Sequence, residues 1–406
     1  MEVRTGSSPV RAPSEAMKRG SLSSDVRGAS RLAVDLTMLV TTVVETMHHN
    51  IARHPAMFGR ATHEPAGGLT GVVYGSVRGI TRLVGAGIDA ALAPLMPLLD
   101  RAADWQGRET VVAALNGVLG DYLDETANSL AIPMRLRLDG QPLELSSAKI
   151  AAAIARPRER VVVLIHGLCM SDLQWDRRSH DHGRALARDL RADTLYLHYN
   201  SGRHISTNGA ELCALLEQLV VQWPVPLEQL ILVGHSMGGL VIRSAVAAAT
   251  KSAHAWPQRL RAIVFLGTPH HGAPLERAGH GVDVLLEASP YTAAFGRLGR
   301  LRSAGITDLR HGCVVEPDQP QPLPAGIACF AVAGSASKAA PKHGGVARGD
   351  GLVPIASALG RHVDRRWTLD FPQGHRYVAY DTGHLDLLSS AAVYAQMKRW
   401  LVDVCR

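Results

Sequence analysis

The stretch that decides the fold is Leu230-Ile231-Leu232-Val233-Gly234-His235-Ser236-Met237-Gly238-Gly239-Leu240. Its first residues are apolar, as in a strand that is buried on both faces, and an alanine-rich helical pattern follows as far as Ala249. The G-x-S-x-G motif between them predicts a sharp strand-to-helix turn with Ser236 at its tip, where Gly234 and Gly238 leave room for a strained backbone. This context favours a nucleophilic serine over a glycine turn with a purely structural role.

Strand and helix patterns alternate on both sides of this motif. The predicted strands are 161–165, 194–198, 229–233, 262–266, 327–333 and 377–380, and the predicted helices are 182–190, 210–222 and 238–249. Short, nearly all-apolar strands separated by helices indicate a parallel sheet covered on both faces. A hairpin is expected before them, because Asp139-Gly140 is a strong turn pair between the patterns 134–138 and 142–145. The predicted fold class is therefore α/β.

A serine hydroxyl needs a base within hydrogen-bond reach and a carboxylate that orients that base. His384 follows the last predicted strand, and Asp350 lies on a glycine-flanked loop after the strand 327–333. Each residue thus comes just after a strand, in the chain order Ser, Asp, His, which is one of the orders known for serine triads. We predict that Ser236, Asp350 and His384 are the catalytic residues. The remaining candidates for the acid are Asp308, Asp318 and Asp370.

Acyl transfer also needs N–H donors for the oxyanion that forms on the acyl carbon. One is expected from Met237, the residue after the nucleophile. The second is expected from the loop His166-Gly167-Leu168-Cys169 after the first parallel strand, and we assign it to the backbone N–H of Leu168. Cys169 is then a small pocket residue rather than a competing nucleophile.

Five motifs, in order along the chain, resemble those of bacterial lipases and of the related GPI-inositol-deacylase-like lipid esterases of the α/β-hydrolase superfamily. They are His166-Gly167-Leu168, Gly234-His235-Ser236-Met237-Gly238-Gly239, Gly267-Thr268-Pro269-His270-His271-Gly272, Gly349-Asp350-Gly351-Leu352-Val353 and Gly383-His384. The resemblance covers about residues 130–406. It implies the α/β-hydrolase fold, with a mostly parallel sheet between helices, and the hydrolysis of carboxylic esters, often of lipids.

The same resemblance gives a role to a long insertion after the strand that follows the nucleophile helix. Residues 273–325 are expected to form a cap over the acyl pocket, which would shield the ester from water. The alternative is that this insertion lies on the surface and does not control access to the acyl pocket. The catalytic domain predicted from the sequence is therefore 130–406, with the cap at about 273–325.

Two places raise the question of a bound ion. The paired histidines His270 and His271 are a metal-binding pattern, but no acidic ligand converges on them in the sequence, so a structural or hydrogen-bonding role is favoured. Asp381 and Asp386 lie close to His384, and for them solvent contact, helix capping and a calcium site all stay open. We assign no metal and no cofactor, because the serine chemistry requires none.

Residues 1–129 resemble no family that we can place. Residues 1–30 are rich in Ser, Gly and Arg without periodicity, which predicts a flexible tail, and no signal peptide is recognised there. Residues 31–129 are expected to be helical, because apolar residues recur at helical spacing from Leu32 to Ile51 and a further helical pattern covers 109–129.

The middle of this N-terminal region contains a ridge of small residues. Within 67–99, glycine recurs at every fourth position, at Gly67, Gly71, Gly75 and Gly79, which would let another backbone approach a helix closely. A helix packed against the main domain or a partner is favoured. Peripheral contact with a membrane is the alternative, since Arg78, Arg82 and Asp89 argue against a simple span.

Composition and charge exclude several classes of protein. With 46% hydrophobic and 19% charged residues in 406, the chain is globular rather than disordered or fibrous. The net charge of +7 comes from arginines spread along the chain, so no nucleic-acid partner is expected. Five widely spaced cysteines without a C-x-x-C pair favour a reducing compartment, although one disulfide stays open. We expect a cytoplasmic or peripherally membrane-associated protein.

These observations predict a serine carboxylic-ester hydrolase that acts on an ester or lipid substrate. Ser236 would attack the acyl carbon, His384 would remove its proton, and Asp350 would hold the histidine in the correct tautomer. Two alternatives stay open: an acyltransferase that uses the same three residues, and a non-catalytic membrane- or partner-binding module on a hydrolase fold. Acyl chain length, the alcohol moiety and the oligomeric state are not encoded in any motif of the sequence.

Overall fold

The computed structural model describes residues 27–32, 108–250, 254–273, 303–315, 319–340 and 349–406. These residues fall into two compact units. The first contains the helical residues 27–32 together with 128–130, where Asn128 Nδ2 donates a hydrogen bond to the carbonyl of Gly28 at 3.1 Å. Residues 27–30, the last of the predicted tail, are thus helical. The glycine ridge of 67–99, most of the helix predicted from Leu32 to Ile51 and most of the predicted cap lie outside the described residues.

An eight-stranded sheet forms the centre of the second unit. Its strands are β1 (Arg135–Leu138), β2 (Gln141–Pro142), β3 (Arg160–Ile165), β4 (Asp193–His198), β5 (Gln229–His235), β6 (Leu260–Leu266), β7 (Ala328–Ser335) and β8 (Arg376–Tyr380). The spatial order is β2-β1-β4-β3-β5-β6-β7-β8, and all pairs from β4 to β8 are parallel. β1 runs antiparallel to β2 and β4. All six predicted parallel strands are confirmed.

The predicted hairpin at the edge of the sheet is also confirmed. Asp139 and Gly140 both have positive φ, 48° and 73°, as the tight hairpin turns require. The second strand is shorter than predicted and ends at Pro142. The chain leaves the ladder there because Ser146 caps the next helix, its Oγ accepting a hydrogen bond from the N–H of Lys149 at 3.4 Å.

Nine helices accompany the sheet in the described part of this unit. They are α1 (Arg108–Glu125), α2 (Ser147–Ala153), α3 (His182–Asp189), α4 (Ile205–Gln222), α5 (Met237–Ala249), α6 (Trp256–Arg259), α7 (Ala304–His311), α8 (Ile355–Ala358) and α9 (Ala391–Val404). None of the described helices is both long enough and apolar enough to cross a membrane. α1 ends before the predicted boundary at 129, and it belongs to the unit that carries the sheet.

Helix α4 begins five residues before the predicted start at 210. Asn208 and Gly209 suggest a break in the sequence, but tertiary contacts explain both. Asn208 Nδ2 donates to the carbonyl of Asn200 at 2.9 Å, and a β-carbon on Gly209 would lie 2.2 Å from Oγ of Ser244 on α5. Gly209 therefore allows α4 and α5 to pack closely, and Asn208 connects the first turn of α4 to the loop after β4. These contacts override the low helix propensity of both residues.

The core lies on both faces of the sheet. Ile231 and Val233 of β5 pack with α3 and α9 on one face, in a cluster that includes Leu186 and Trp400. Because side chains alternate along a strand, Leu230 and Leu232 point to the opposite face, where α4 and α5 pack. All four of these β5 side chains are fully buried. This two-sided burial is the reason that β5 is apolar throughout, and it holds the turn after β5 in a fixed position.

Candidate active site

Ser236 occupies the turn between β5 and α5 in a strained backbone conformation. Its φ is 54° and its ψ is −124°, in a region that residues with a side chain rarely adopt. The backbone holds it there: the N–H of Ser236 donates to the carbonyl of Leu266 at 2.8 Å, and its own carbonyl accepts from Gly239 at 3.1 Å. Only 2% of the serine is exposed. The turn predicted from the G-x-S-x-G motif is therefore present in the structure.

The two motif glycines are required by close approaches of the backbone. A β-carbon on Gly234 would lie 2.6 Å from the nitrogen of Gly239, and one on Gly238 would lie 2.3 Å from the carbonyl oxygen of Ile165 at the end of β3. Both distances are shorter than any non-bonded contact a side chain tolerates. The motif thus packs the start of α5 directly on the neighbouring strand, which is what turns the chain so sharply.

His384 and Asp350 come together next to this turn. The Nδ1 atom of His384 lies 2.7 Å from Oδ2 of Asp350, and both side chains are fully buried. The other carboxylate oxygen, Oδ1, accepts hydrogen bonds from the N–H groups of Leu352 at 3.0 Å and Val353 at 2.8 Å. A further bond joins the N–H of His384 to the carbonyl of Asp350 at 3.0 Å. The two loops that follow β7 and β8 are therefore locked to each other through this pair.

The other carboxylates considered for this role have different surroundings. Asp308 Oδ2 accepts a hydrogen bond from the N–H of Ile205 at 2.8 Å and lies 3.1 Å from Nδ1 of His204, at the start of α4. Asp370 is exposed. Asp318 lies outside the described residues. Among the described candidates, Asp350 alone is paired with His384.

The imidazole of His384 also lies beside the residue that precedes the serine. The ring centroids of His235 and His384 are 4.7 Å apart, and His235 Nε2 donates to the carbonyl of His384 at 3.1 Å. Burial, and after it the proximity of His384, hold the pKa of His235 well below its ordinary value, so this donor is neutral. The Nε2 atom of His384 is buried and has no hydrogen-bond partner among the described residues.

The loop after β3 lies directly against the serine. A β-carbon on Gly167 would lie 3.0 Å from Cβ of Ser236. The N–H groups of Leu168 and Met237 donate to no acceptor among the described residues, although both residues are buried. Free backbone donors are rare in buried segments. The predicted donor residues are thus the neighbour of Ser236 and the neighbour of Gly167, and neither N–H has an acceptor among the described residues.

The donor loop is held by contacts that the sequence analysis did not identify. The N–H of Cys169, whose φ is 59°, donates to Oγ of Ser201 at 3.1 Å, and the hydroxyl of Tyr199 donates to the carbonyl of His166 at 2.9 Å. Helix α1 covers the loop, since a β-carbon on Gly117 would lie 2.2 Å from Sγ of Cys169. The glycines of α1 were the available signal, because glycine inside an apolar helix marks a close approach.

A largely buried ionic cluster lies near the same loop, where the ring centroids of His166 and His198 are 6.4 Å apart. Arg137 of β1 contacts Asp172 at 3.0 Å and Glu109 of α1 at 3.2 Å, and Nδ1 of His198 lies 3.0 Å from Asp172. Burial tends to raise the pKa of Asp172, but His198 and the charge of Arg137 outweigh it and keep the pKa below its ordinary value. The carboxylate is therefore ionised and pairs with a buried arginine. The cluster connects α1, β1 and β4 at the edge of the site.

The residues considered for ion binding and for competing nucleophilicity have other roles. No group of three or more His, Cys, Asp or Glu that could hold a metal occurs within the described ranges. Asp386 forms an ion pair with Arg178 at 3.0 Å, and its Oδ2 accepts from the N–H of Gly383 at 3.3 Å. Burial raises the pKa of Cys169 to about 12, so this thiol is not ionised at neutral pH.

Comparison with known proteins identifies one matching family model and several solved structures with a similar fold. The family model of the PGAP1-like alpha/beta domain matches residues 156–322, which include Leu168 and Ser236 but neither Asp350 nor His384. Among solved structures, the mature lipase BlEst2 of Bacillus licheniformis is similar at 16% identity and a TM-score of 0.42, over 67% of this chain and 98% of that one. A thermophilic esterase of Thermogutta terrifontis is similar at 16% identity and a TM-score of 0.35, over 68% and 94% of the two chains. Lipase B of Aspergillus fumigatus follows at 12% identity and a TM-score of 0.34, over 63% and 57%. No curated protein matches the sequence.

Proposed function

We propose that this member of the α/β-hydrolase superfamily is a serine carboxylic-ester hydrolase. The proposal rests on three residues that lie close together at one edge of the sheet. Ser236 stands on a turn at φ 54°, and a fully buried His384–Asp350 pair lies beside it. A strained serine turn is maintained at a cost of about 1–3 kcal/mol, which a site with no function would not need.

The hydrogen bonds give each ring nitrogen of His384 a different task. Asp350 Oδ2 accepts the proton of Nδ1 at 2.7 Å, so Nε2 carries a lone pair and is the base. In the proposed reaction Nε2 takes the proton of Ser236 Oγ as that oxygen attacks the acyl carbon. It then gives the proton to the leaving alcohol, and the acyl group stays on the serine as an ester. Water repeats the sequence, losing its proton to Nε2, and the free acid leaves as Ser236 regains its hydrogen.

The free N–H groups of Leu168 and Met237 would bind the oxyanion in both tetrahedral intermediates. Their carrier residues are buried, so the hydrogen bonds would form in a low-dielectric environment where they are strong. Removing one donor of this kind typically costs about 3 kcal/mol of transition-state stabilisation. The contacts from α1 and Ser201 to Cys169 support this role, because they fix the loop before substrate arrives.

The substrate class follows from the resemblance rather than from the pocket. Esters, including lipid esters, suit a site that needs no metal, and the predicted cap at 273–325 would shape the acyl pocket. Transfer of the acyl group to an alcohol instead of water would use the same residues. Peripheral membrane contact by 67–99, the alternative to helix packing there, would bring such an enzyme to a lipid substrate.

The test is hydrolysis of p-nitrophenyl esters from acetyl to palmitoyl by the wild type and by Ser236→Ala. Ser206→Ala, a serine-to-alanine change in the first turn of α4, is the matched control. We expect activity in the wild type and the control and none above background in Ser236→Ala, with the chain-length optimum separating an esterase from a lipase. A fluorophosphonate probe should label the wild type and not Ser236→Ala. Wild-type protein that neither turns over any ester nor reacts with the probe would contradict the proposal, and ester product formed only with added alcohol would favour the acyltransferase.

A further inference from the structure

A basic cavity lies between α5, the loop after β6 and the segment that follows α8. Its volume is about 480 Å³, within the range of small-molecule sites. The cationic and imidazole side chains that line it include Arg243, Arg365, Arg366, His270, His271 and His362. Asp370 is the one carboxylate that the described residues contribute to this lining. None of these residues has a part in the proposed ester hydrolysis.

Arg243 is the residue that makes this cavity unusual. It lies on α5, about two helical turns after Ser236, and is 8% exposed. Its hydrogen bonds go to the backbone carbonyl of Gln321, from Nη2 at 2.6 Å, and to His270, where Nη1 lies 3.5 Å from both the carbonyl oxygen and the ring Nδ1. Nε has no partner, and no described carboxylate forms an ion pair with the guanidinium. Carbonyls satisfy donors without neutralising the charge.

An arginine in this environment is still charged. Burial lowers the pKa of Arg243 to about 10, which leaves the guanidinium protonated at neutral pH. A buried charge without a counter-ion costs several kcal/mol unless an opposite charge arrives. The lining of the cavity therefore contains a cation whose partner is not among the described protein groups.

Other side chains around Arg243 add a hydrogen-bond donor and positive charge to the cavity. The Nε2 atoms of His270 and His271 are buried and have no hydrogen-bond partner among the described residues. Burial holds the pKa of His270 well below its ordinary value and lowers that of His271 to about 4, so both rings are neutral. Nδ1 of His270 faces Nη1 of Arg243 at 3.5 Å and accepts from it, which leaves Nε2 of His270 as the N–H donor. At the rim, Arg366 is neutralised by Asp364 at 2.6 Å, whereas Arg365 has no described carboxylate partner.

The positive region continues into a neighbouring cavity of about 500 Å³, which shares His271, His311 and His362 with the first and adds Arg310 and Arg361. Like charges concentrated in this way raise the local concentration of anions.

We propose that the cavity binds the phosphate group of an organic phosphate ligand, with Arg243 as the buried anchor. The guanidinium groups of Arg243 and Arg365, with the imidazole N–H of His270, can bind the three oxygens of a phosphate better than the two of a carboxylate. The volume exceeds the space that a bare ion needs, so the ligand carries an organic part beside its phosphate. A soluble phosphate ester and a lipid headgroup present the same chemistry here. The proposal does not depend on ester hydrolysis by Ser236.

The experiment measures binding to the full chain in chloride buffer at constant ionic strength. Inorganic phosphate and glycerol 3-phosphate are titrated by calorimetry. Phosphatidylcholine vesicles with and without phosphatidic acid are tested by flotation. The variants are Arg243→Gln and, at the rim, Arg365→Gln. Arg399→Gln is the matched control, because it removes the same charge from the exposed face of α9.

We expect Arg243→Gln to weaken phosphate binding about 30-fold or more, as loss of one partner of a buried charge pair does, and Arg365→Gln to weaken it by a smaller factor. Arg399→Gln should bind like the wild type. Binding of glycerol 3-phosphate with this dependence supports a soluble ligand. Dependence seen only with phosphatidic acid vesicles supports a lipid headgroup.

Thermal unfolding provides a second measurement, whose expected result differs from that for an arginine with a purely structural role. Without phosphate, Arg243→Gln should melt at or above the temperature of the wild type, because it removes an uncompensated buried charge. Phosphate should raise the melting temperature of the wild type and of Arg399→Gln, but not that of Arg243→Gln. If Arg243→Gln does not fold, Arg365→Gln decides the matter by the same titration. Equal binding by the wild type and the cavity variants, or no binding of any probe, overturns the proposal.

Discussion

The substitution Asp350→Asn separates the chemistry of the proposed site from its architecture. In the structure Oδ1 of Asp350 accepts from the N–H groups of Leu352 and Val353, while Oδ2 faces Nδ1 of His384 at 2.7 Å. An asparagine keeps its oxygen toward the two N–H donors, because only an acceptor satisfies them. Its amide NH₂ then faces Nδ1, which must become the acceptor. The proton of His384 moves to Nε2, where it blocks the base.

The expected magnitude is large for activity and small for stability. A wrong tautomer in a serine triad lowers kcat by about 10⁴-fold, equivalent to about 5 kcal/mol of transition-state stabilisation. Folding loses one charge-assisted hydrogen bond, about 1.5–3 kcal/mol, and the new amide bond to His384 offsets part of this. The amide is isosteric with the carboxylate, so no cavity or overlap is created.

The assay is p-nitrophenyl ester hydrolysis together with urea unfolding of the same preparations. Asp381→Asn is the control, because Asp381 is exposed three residues before His384 and its φ of 51° is tolerated by asparagine. The control should stay within about twofold of the wild type. A folded Asp350→Asn protein that keeps more than about a tenth of wild-type kcat would refute the assignment of Asp350 as the orienting acid.

Three further outcomes follow from the structure. Gly238→Ala should abolish activity and destabilise the fold by about 3–5 kcal/mol, because its β-carbon would lie 2.3 Å from a backbone oxygen of β3. Gly326→Ala is the control, because a β-carbon there meets open space at φ 76°. It should cost only about 1–2 kcal/mol in thermal unfolding and leave activity intact. Iodoacetamide at pH 7.5 should leave Cys169 unmodified in the folded protein and modify it in urea, because burial raises its pKa to about 12; alkylation of the folded protein at Cys169, read by mass spectrometry, would contradict this burial. Burial lowers the pKa of His166 to about 3 and of His182 to about 4. Below about pH 6.5 the unfolded chain therefore binds protons that the folded protein does not, and each histidine should reduce the free energy of unfolding by up to about 1.4 kcal/mol per pH unit toward pH 4. Urea unfolding at pH 7, 6 and 5 checks the slope, which His182→Gln should reduce, and a slope unchanged in that variant would contradict the reasoning.

Local physical chemistry determined much of the fold in advance. The run from Leu230 to Val233, followed by a glycine turn, favours a strand buried on both faces, and a glycine before and after Ser236 permits a turn that other residues would block. The same reasoning placed Asp350 and His384 after strands, whose carboxyl ends share one edge of a parallel sheet. Turn chemistry and periodicity extend over only a few residues, so these features could be predicted without knowing which distant segments contact them.

Contacts between distant segments were decided only in the tertiary structure. The sequence left Asp308 and Asp370 as alternatives to Asp350, and the pairing with His384 distinguishes them. The packing of Gly117 against Cys169 depends on the position of α1, which no periodicity specifies.

Arg243 is the clearest example of a residue whose surroundings only the tertiary structure determines. In the sequence it is one of many arginines spread along the chain, on an alanine-rich helix. Its burial without a described counter-ion results from the loops around His270 and Gln321 that close over it. Periodicity in the sequence reports which face of a helix is covered. The charge and the hydrogen-bonding groups of whatever covers that face come from elsewhere in the chain, and they are fixed only when the tertiary structure forms.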